Sequence, residues 1–104
     1  MFARSVTVRL KPKSVADFNR TFEQEVLPVL QRQKGFQDGL SLVASNGLEA
    51  VGISVWDQQA DAEAYQRTTY GQVQQLLSKV IEGVPQVQTY EVGTATFHKT
   101  AAHV

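Results

Sequence analysis

The chain has 104 residues, of which 42% are hydrophobic and 19% are charged. This length supplies one hydrophobic core rather than two, so we expect a single domain over residues 1–104. The absence of cysteine excludes disulfides, zinc–thiolate sites and thiol nucleophiles. Ten basic residues balance ten acidic ones, and a neutral chain of this kind does not favour nucleic acid as a partner.

The N-terminal residues do not resemble a targeting segment. Arg4 interrupts the first apolar run too early for a signal peptide. No stretch approaches the roughly 20 apolar residues of a membrane span. We therefore expect a soluble cytoplasmic protein with no membrane partner.

A strand and a helix are predicted in the first third of the chain. Alternation of apolar with small or polar residues predicts a strand over Phe2–Leu10, with Arg4 as the exception on the apolar side. Ser14 followed by Asp17 matches a capping box that opens a helix. Apolar residues then recur at three- and four-residue steps, which is typical of a helix. This helix is expected to end at Gly35.

The middle of the chain is predicted to contain an irregular helix end followed by a β-hairpin. Pro28 predicts a kink or a break in the preceding helix, because proline removes a backbone donor. Strands are expected over Leu40–Ala44 and Glu49–Trp56, joined by a tight turn at Asn46–Gly47. Asp57 then stands where it would cap the next helix.

The rest of the chain predicts a helix in two pieces and a last strand. The first piece covers about Gln58–Thr68. Apolar residues at helical spacing predict a second piece over Val73–Ile81 that stops at Gly83. The last strand is expected over Val87–His98, with a bulge or bend at Gly93.

This order of elements predicts an α+β fold. Strand, helix, strand, strand, helix, strand is the ferredoxin-like βαββαβ arrangement, a four-stranded antiparallel sheet with its helices on one face. We expect the opposite face to be small and nearly uncharged. Its predicted residues are Ala3, Ser5, Thr7, Ser41, Val43, Ala50, Gly52 and Ser54. Such a face suits close packing against a second sheet, so we expect a homodimer joined sheet to sheet.

Three stretches carry a resemblance to a known family. Leu27–Leu30, Lys34–Phe36 and Val55–Tyr65 resemble the antibiotic biosynthesis monooxygenase-like domain, over nearly the whole chain. The resemblance implies a dimeric α+β barrel. It also implies oxidation of a phenolic or quinol-type small aromatic molecule by dioxygen, with no metal, flavin or other cofactor. A non-catalytic dimeric ligand-binding or structural domain is the alternative, because one fold supports many functions.

Four residues are candidates for the chemistry. Trp56 matches the family's Trp at the end of the third strand, and Tyr65 lies on the helix that follows. Arg4 would favour an anionic or phenolate oxygen, and His98 is a candidate base in the partner's cleft. The residues expected to contact the substrate beside them are Tyr70, Phe36 and Phe22.

Each candidate also has a purely structural interpretation. Trp56 would close a sheet edge or a dimer interface, and Tyr65 and Tyr70 would pack with their hydroxyls at the surface. His98 would be exposed or lie at an interface. Arg4 would extend from a frayed strand to water.

Two features of related proteins have no counterpart here. The Asn that the monooxygenases carry just before their Trp is replaced by Gly52 and Ser54. Haem-degrading members of the fold use a helical His as iron ligand, and no predicted helix contains one. Tyr65 and Tyr70 are then the remaining candidates for an axial ligand to haem iron. Haem degradation is therefore disfavoured.

Overall fold

The computed structural model describes residues 1–95. The elements in chain order are β1 (Phe2–Leu10), α1 (Val15–Thr21), a π-helical segment (Phe22–Val26), α2 (Leu27–Gln31), β2 (Phe36–Val43), β3 (Glu49–Trp56), α3 (Gln59–Thr68), α4 (Tyr70–Leu77) and β4 (Ile81–Glu91). The strands form an antiparallel sheet in the order β2-β3-β1-β4, and the helices cover one face. The predicted ferredoxin-like α+β fold is confirmed. No helix within the described residues is long and apolar enough to cross a membrane.

The hydrophobic core lies between the helices and the inner face of the sheet, the face that they cover. Leu10, Phe18 and Trp56 are almost completely buried in it. Phe2 pairs with Trp56 across β1 and β3, which places both aromatic side chains on this inner face. Burial of such apolar surface is the main term that stabilises a chain of this size.

The first helical region stays continuous through Pro28. Proline cannot donate to the carbonyl four residues before it, and the chain responds with a wider turn over Phe22–Val26. There the amide of Leu27 donates to the carbonyl of Phe22, five residues back. The predicted break is therefore absent, and the irregularity before Pro28 is a π-helical segment.

The predicted capping box at the start of α1 is wrong. Ser14 has φ −109° and ψ 7° and makes no capping hydrogen bond, because an N-cap side chain usually needs an extended backbone to reach the helix amides. Its hydroxyl lies 3.4 Å from the carbonyl oxygen of Pro12 instead. Asp17 pairs with Arg20 on the surface.

The faces predicted for β2 and β3 are also wrong. Gly52 pairs with Val6 and Ser54 pairs with Arg4, so these small residues belong to the inner face together with Ala50. Ser41 and Val43 of β2 pair with Gly52 and Ala50, so they face inward as well. The outer face, opposite the helices, instead carries the more apolar set of β3, Val51, Ile53 and Val55. A strand's alternation does not say which set faces inward, and pairing with β1 decides it.

Two other boundaries differ around the hairpin. β2 begins at Phe36 rather than at Leu40, because pairing with β3 continues through an irregular register near Asp38. Gln58, not Asp57, is the N-cap residue of α3. The Asp57 carboxylate instead accepts a hydrogen bond of 2.6 Å from the side-chain amide of Gln37.

The end of α4 and the start of β4 were misplaced by the sequence pattern. α4 ends at Leu77, and Ile81 already pairs with Leu10 in the sheet. Gly83, with φ 76°, therefore lies inside β4, where the register with β1 shifts. Pro85 is tolerated in this strand because β4 is at the edge of the sheet.

The last strand begins and ends earlier than the predicted Val87–His98. It ends at Glu91, so Gly93 lies after the strand rather than at a bend within it. His98 lies outside the described residues.

Candidate functional site

A pocket lies between the inner face of the sheet and the helices. The space in it that a water-sized molecule can occupy has a volume of about 50 Å³. Its walls are mainly apolar, with Phe18 and Phe22 from the first helical region and Val6 and Val8 from β1. The residues that bring polar groups to it are Arg4, Ser54, Tyr65, Tyr70 and Gln74. The pocket is therefore open, and it is polar in places.

Arg4 is the charged group of this pocket. Its place on β1 directs the side chain inward, and it is only 3% exposed. The carbon atom at the centre of the guanidinium lies 4.1 Å from the ring centre of Tyr70 and 5.4 Å from that of Tyr65. The guanidinium donates a hydrogen bond to the side-chain carbonyl of Gln66. The prediction that Arg4 extends from a frayed strand to water is wrong.

Arg4 has neutral partners in the part of the chain that the structure describes. The ion pairs there join Arg20 to Asp17 and Lys79 to Glu25, and neither involves Arg4. Two aromatic rings and one amide hold the guanidinium in place. A buried cation with such surroundings has a strong electrostatic preference for an anionic ligand.

Tyr65 and Tyr70 are buried, which overturns the expectation of surface hydroxyls. They are 3% and 7% exposed. Burial raises the pKa of Tyr65 to about 12, although the Arg4 guanidinium acts in the opposite direction. Burial likewise raises the pKa of Tyr70 against the effect of Arg4. Both phenols thus keep their protons at neutral pH, so each can donate a hydrogen bond to a ligand.

Trp56 lies behind the pocket rather than in its wall. Its ring is fully buried, stacks at a tilt on Tyr65 with 5.1 Å between ring centres, and meets Phe36 edge to face at 5.6 Å. Its indole N–H donates to the hydroxyl of Ser54 over 2.9 Å. Trp56 and Phe36 therefore support the pocket residues from behind, whereas a direct contact with substrate was predicted for both.

Phe22 lines the pocket, and its ring lies over Gly52 of β3. A Cβ atom on Gly52 would lie 3.5 Å from the Cε1 atom of Phe22, so the ring rests directly on the backbone of β3. The π-helical segment begins at Phe22, which links the turn before Pro28 to the shape of the pocket.

Three contacts around the pocket were not predicted from the sequence. Gln66 accepts a hydrogen bond from Arg4, Ser54 accepts one from Trp56, and Gly52 lies against Phe22. The sequence did contain a signal for Arg4, because side chains alternate along β1 and Arg4 falls on the same side as the apolar residues of the strand. No short-range pattern marks Gln66, which is 62 residues away from Arg4.

The four-stranded sheet with its single helical layer is similar in fold to solved structures named antibiotic biosynthesis monooxygenase. A monooxygenase from the gene ActVA-Orf6 of Streptomyces coelicolor, in complex with the ligand nanaomycin D, has 15% identity and a TM-score of 0.77, with 92% of this chain and 90% of that chain covered. A protein of unknown function from Nitrosomonas europaea also has 15% identity, with a TM-score of 0.74 and 92% of each chain covered.

A third solved structure has the same fold. It is a Bordetella bronchiseptica protein provisionally assigned as an antibiotic biosynthesis monooxygenase, with 14% identity, a TM-score of 0.75 and coverage of 89% of this chain and 97% of that chain. No family model matches the chain, and no curated protein matches it. At such identities the likeness concerns the fold, and chemistry has to be argued from the site.

Proposed function

We propose that the protein binds a phenolic or quinol-type aromatic molecule in this pocket and oxidises it with dioxygen, without a metal or organic cofactor. The observation that carries the proposal is the buried guanidinium of Arg4 at the wall of an apolar cavity with aromatic residues. Buried charges in proteins are usually paired. A phenolate oxygen would be the counter-charge, and the apolar walls would hold the ring of the same molecule.

The cation has a direct chemical consequence for such a ligand. A positive charge within a few ångström lowers the pKa of a phenol and so increases the fraction of phenolate. The phenolate is the electron-rich form, and it reduces dioxygen. One oxygen atom bonds to a ring carbon, and the hydrogen of that carbon and the phenolic proton leave with the other oxygen atom as water. The ring becomes a quinone, so atoms and electrons balance with dioxygen as the oxidant.

The walls of the pocket suit this chemistry. Phe22, Phe18 and Val6 keep bulk water away from the ring, which strengthens the interaction between Arg4 and an anion. The open side of the pocket lets the ligand enter and lets its proton reach water. The Streptomyces coelicolor monooxygenase with this fold contains a bound ligand, which supports a ligand-binding role for the fold.

A non-catalytic ligand-binding domain is the second candidate. Trp56 lies behind Tyr65, and Gly52 and Ser54 stand where the resemblance implies an Asn. Both observations favour binding without oxygen chemistry.

An oxygen electrode separates the two candidates. The protein is incubated with a panel of hydroquinones and anthrones, and the experiment is repeated with Arg4→Gln and, as a matched control, with Arg9→Gln on the exposed side of β1. We expect oxygen uptake that Arg4→Gln abolishes and Arg9→Gln retains. Uptake no faster than in buffer across the panel would favour the binding domain. Uptake that survives Arg4→Gln would exclude this pocket as the site.

We also propose that the protein is a homodimer joined through the outer face of the sheet. Leu40, Leu42 and Tyr90 are large side chains on this face, and they are 43%, 51% and 51% exposed. Ile53 pairs with Leu40 beside them. An apolar sheet face of this kind favours association, and a second copy offers the same face in a twofold arrangement.

A further inference from the structure

Among the described residues, the buried hydroxyl of Tyr70 at the pocket has no acceptor for its proton, and although burial raises its pKa, hydrogen bonding from the Arg4 guanidinium acts to lower it. Nearly all buried polar groups in proteins are satisfied, so each exception calls for an explanation. Phenylalanine would fill the same space without an unsatisfied hydroxyl. The side chain lines the pocket, which makes a group on a bound ligand the natural partner for this oxygen.

The neighbours of Tyr70 decide what kind of group this is. Arg4 lies over its ring at 4.1 Å, and a guanidinium offers donors and no acceptor. Burial raises the pKa of Tyr70, so the hydroxyl keeps its proton. Arg4 and Tyr70 therefore both offer hydrogen-bond donors. The described residues do not provide enough acceptors for all of these donors.

The Arg4 guanidinium and the Tyr70 hydroxyl are close enough to donate to the same ligand atom. The guanidinium lies over the Tyr70 ring, the hydroxyl is at the edge of that ring, and a hydrogen bond spans about 2.9 Å. One ligand oxygen can thus meet both donors. Gln66 accepts from one nitrogen of Arg4, which fixes the guanidinium and leaves its other N–H groups for the ligand.

We propose that Tyr70 and Arg4 form a two-donor site for one ionised oxygen of an aromatic ligand, in which Tyr70 selects the phenolate over the neutral phenol. This inference deepens the proposed function, since it assigns how the reacting oxygen is held. It rests on the pocket as the ligand site and does not require that oxidation follows. Tyr70 touches the substrate in this arrangement, and its hydrogen bond to a charged oxygen is of the strong class.

The test uses 4-nitrophenol, whose phenolate absorbs visible light, and 4-nitroanisole, its methyl ether, which cannot ionise. The absorbance of 4-nitrophenol is titrated against pH with the intact protein in excess. We expect the pKa of the bound ligand to lie about one to three units below that of the free ligand. Tyr70→Phe should reduce this shift by about one unit, a tenfold weaker binding of the phenolate, and leave 4-nitroanisole binding unchanged.

Two variants complete the design. Tyr90→Phe removes a hydroxyl from an exposed tyrosine and should leave the titration unchanged. Arg4→Gln should abolish the shift. Thermal unfolding reports whether each variant folds, and Tyr70→Phe should fold at least as well as the original chain because the lost hydroxyl proton has no acceptor in the part of the chain that the structure describes.

Three results would overturn the inference. They are an unshifted pKa for bound 4-nitrophenol, an equal shift in Tyr70→Phe, and no binding of either probe. The pKa shift together with an absence of oxygen uptake would support the two-donor site and refute the oxidation.

Discussion

Gly52 offers a graded test of the pocket. A Cβ at this position would lie 3.5 Å from Phe22, which is an ordinary van der Waals contact, so Gly52→Ala fits without movement. Alanine also costs less backbone entropy than glycine in a strand, by roughly 0.5–1 kcal/mol. We therefore expect Gly52→Ala to be slightly more stable and to keep the pocket.

Gly52→Val should have the opposite effect. Its γ carbons extend about 1.5 Å beyond Cβ and reach into the space of the Phe22 ring, which also packs against Phe18 with 5.9 Å between ring centres. Overpacking of this kind costs about 1–3 kcal/mol. The ring has to move into the pocket, and the space for a ligand decreases.

Thermal unfolding and binding of 4-nitroanisole measure the two effects. For a domain of about 100 residues, 1 kcal/mol corresponds to roughly 4–8 °C in Tm. All melts need one protein concentration, because association with a second copy would shift Tm. A Gly52→Val variant that retains both its Tm and its affinity would refute the packing of Phe22 on β3.

Two further predictions concern the outer face and the buried phenols. Leu42→Arg should convert the proposed dimer to a monomer in sedimentation, because it places two charges at a symmetric apolar interface. Leu48→Arg at the β2–β3 turn is the control and should leave association unchanged. A dimer that survives Leu42→Arg would place the interface elsewhere. The pKa of Tyr65 is about 12 in the folded chain, whereas its ordinary value is 10.0, so the native state favours the protonated phenol. The contribution of Tyr65 to the free energy of unfolding is therefore complete below pH 10.0 and is lost as the pH rises to about 12. Urea unfolding across this range should show a loss of roughly 3 kcal/mol that Tyr65→Phe removes, and an identical pH dependence in that variant would contradict the assignment.

Local patterns in the sequence were reliable where neighbouring residues decide the structure. β1 has the predicted bounds, Phe2–Leu10. The hairpin turns at Asn46–Gly47 as expected, with φ 73° at Gly47. Its loop spans residues 45–48 and is closed by a 2.9 Å hydrogen bond from the amide of Ala44 to the carbonyl of Glu49, so it is wider than the tight turn that was predicted. Pro28 correctly marked an irregularity in its helix. Each of these depends on chemistry within a few residues.

Elements whose form depends on a distant partner were read less well. Apolar residues up to Ile81 continue the helical spacing of α4, yet Ile81 pairs with Leu10 in the sheet. The local preference is small compared with the gain from completing an edge strand, so tertiary pairing prevails. The same reason explains why β2 begins at Phe36, four residues before the expected start.

The sequence by itself determined the order of the elements, the antiparallel α+β fold and the presence of one charged residue, Arg4, on the apolar side of β1. Only the tertiary structure decided which side of β3 faces the helices, because alternation has a period of two and either set can face inward. It also decided that Gln66 and Tyr70 surround Arg4. Those contacts join residues more than sixty positions apart, and the packing of α3 and α4 on the sheet, rather than any local pattern, brings them together.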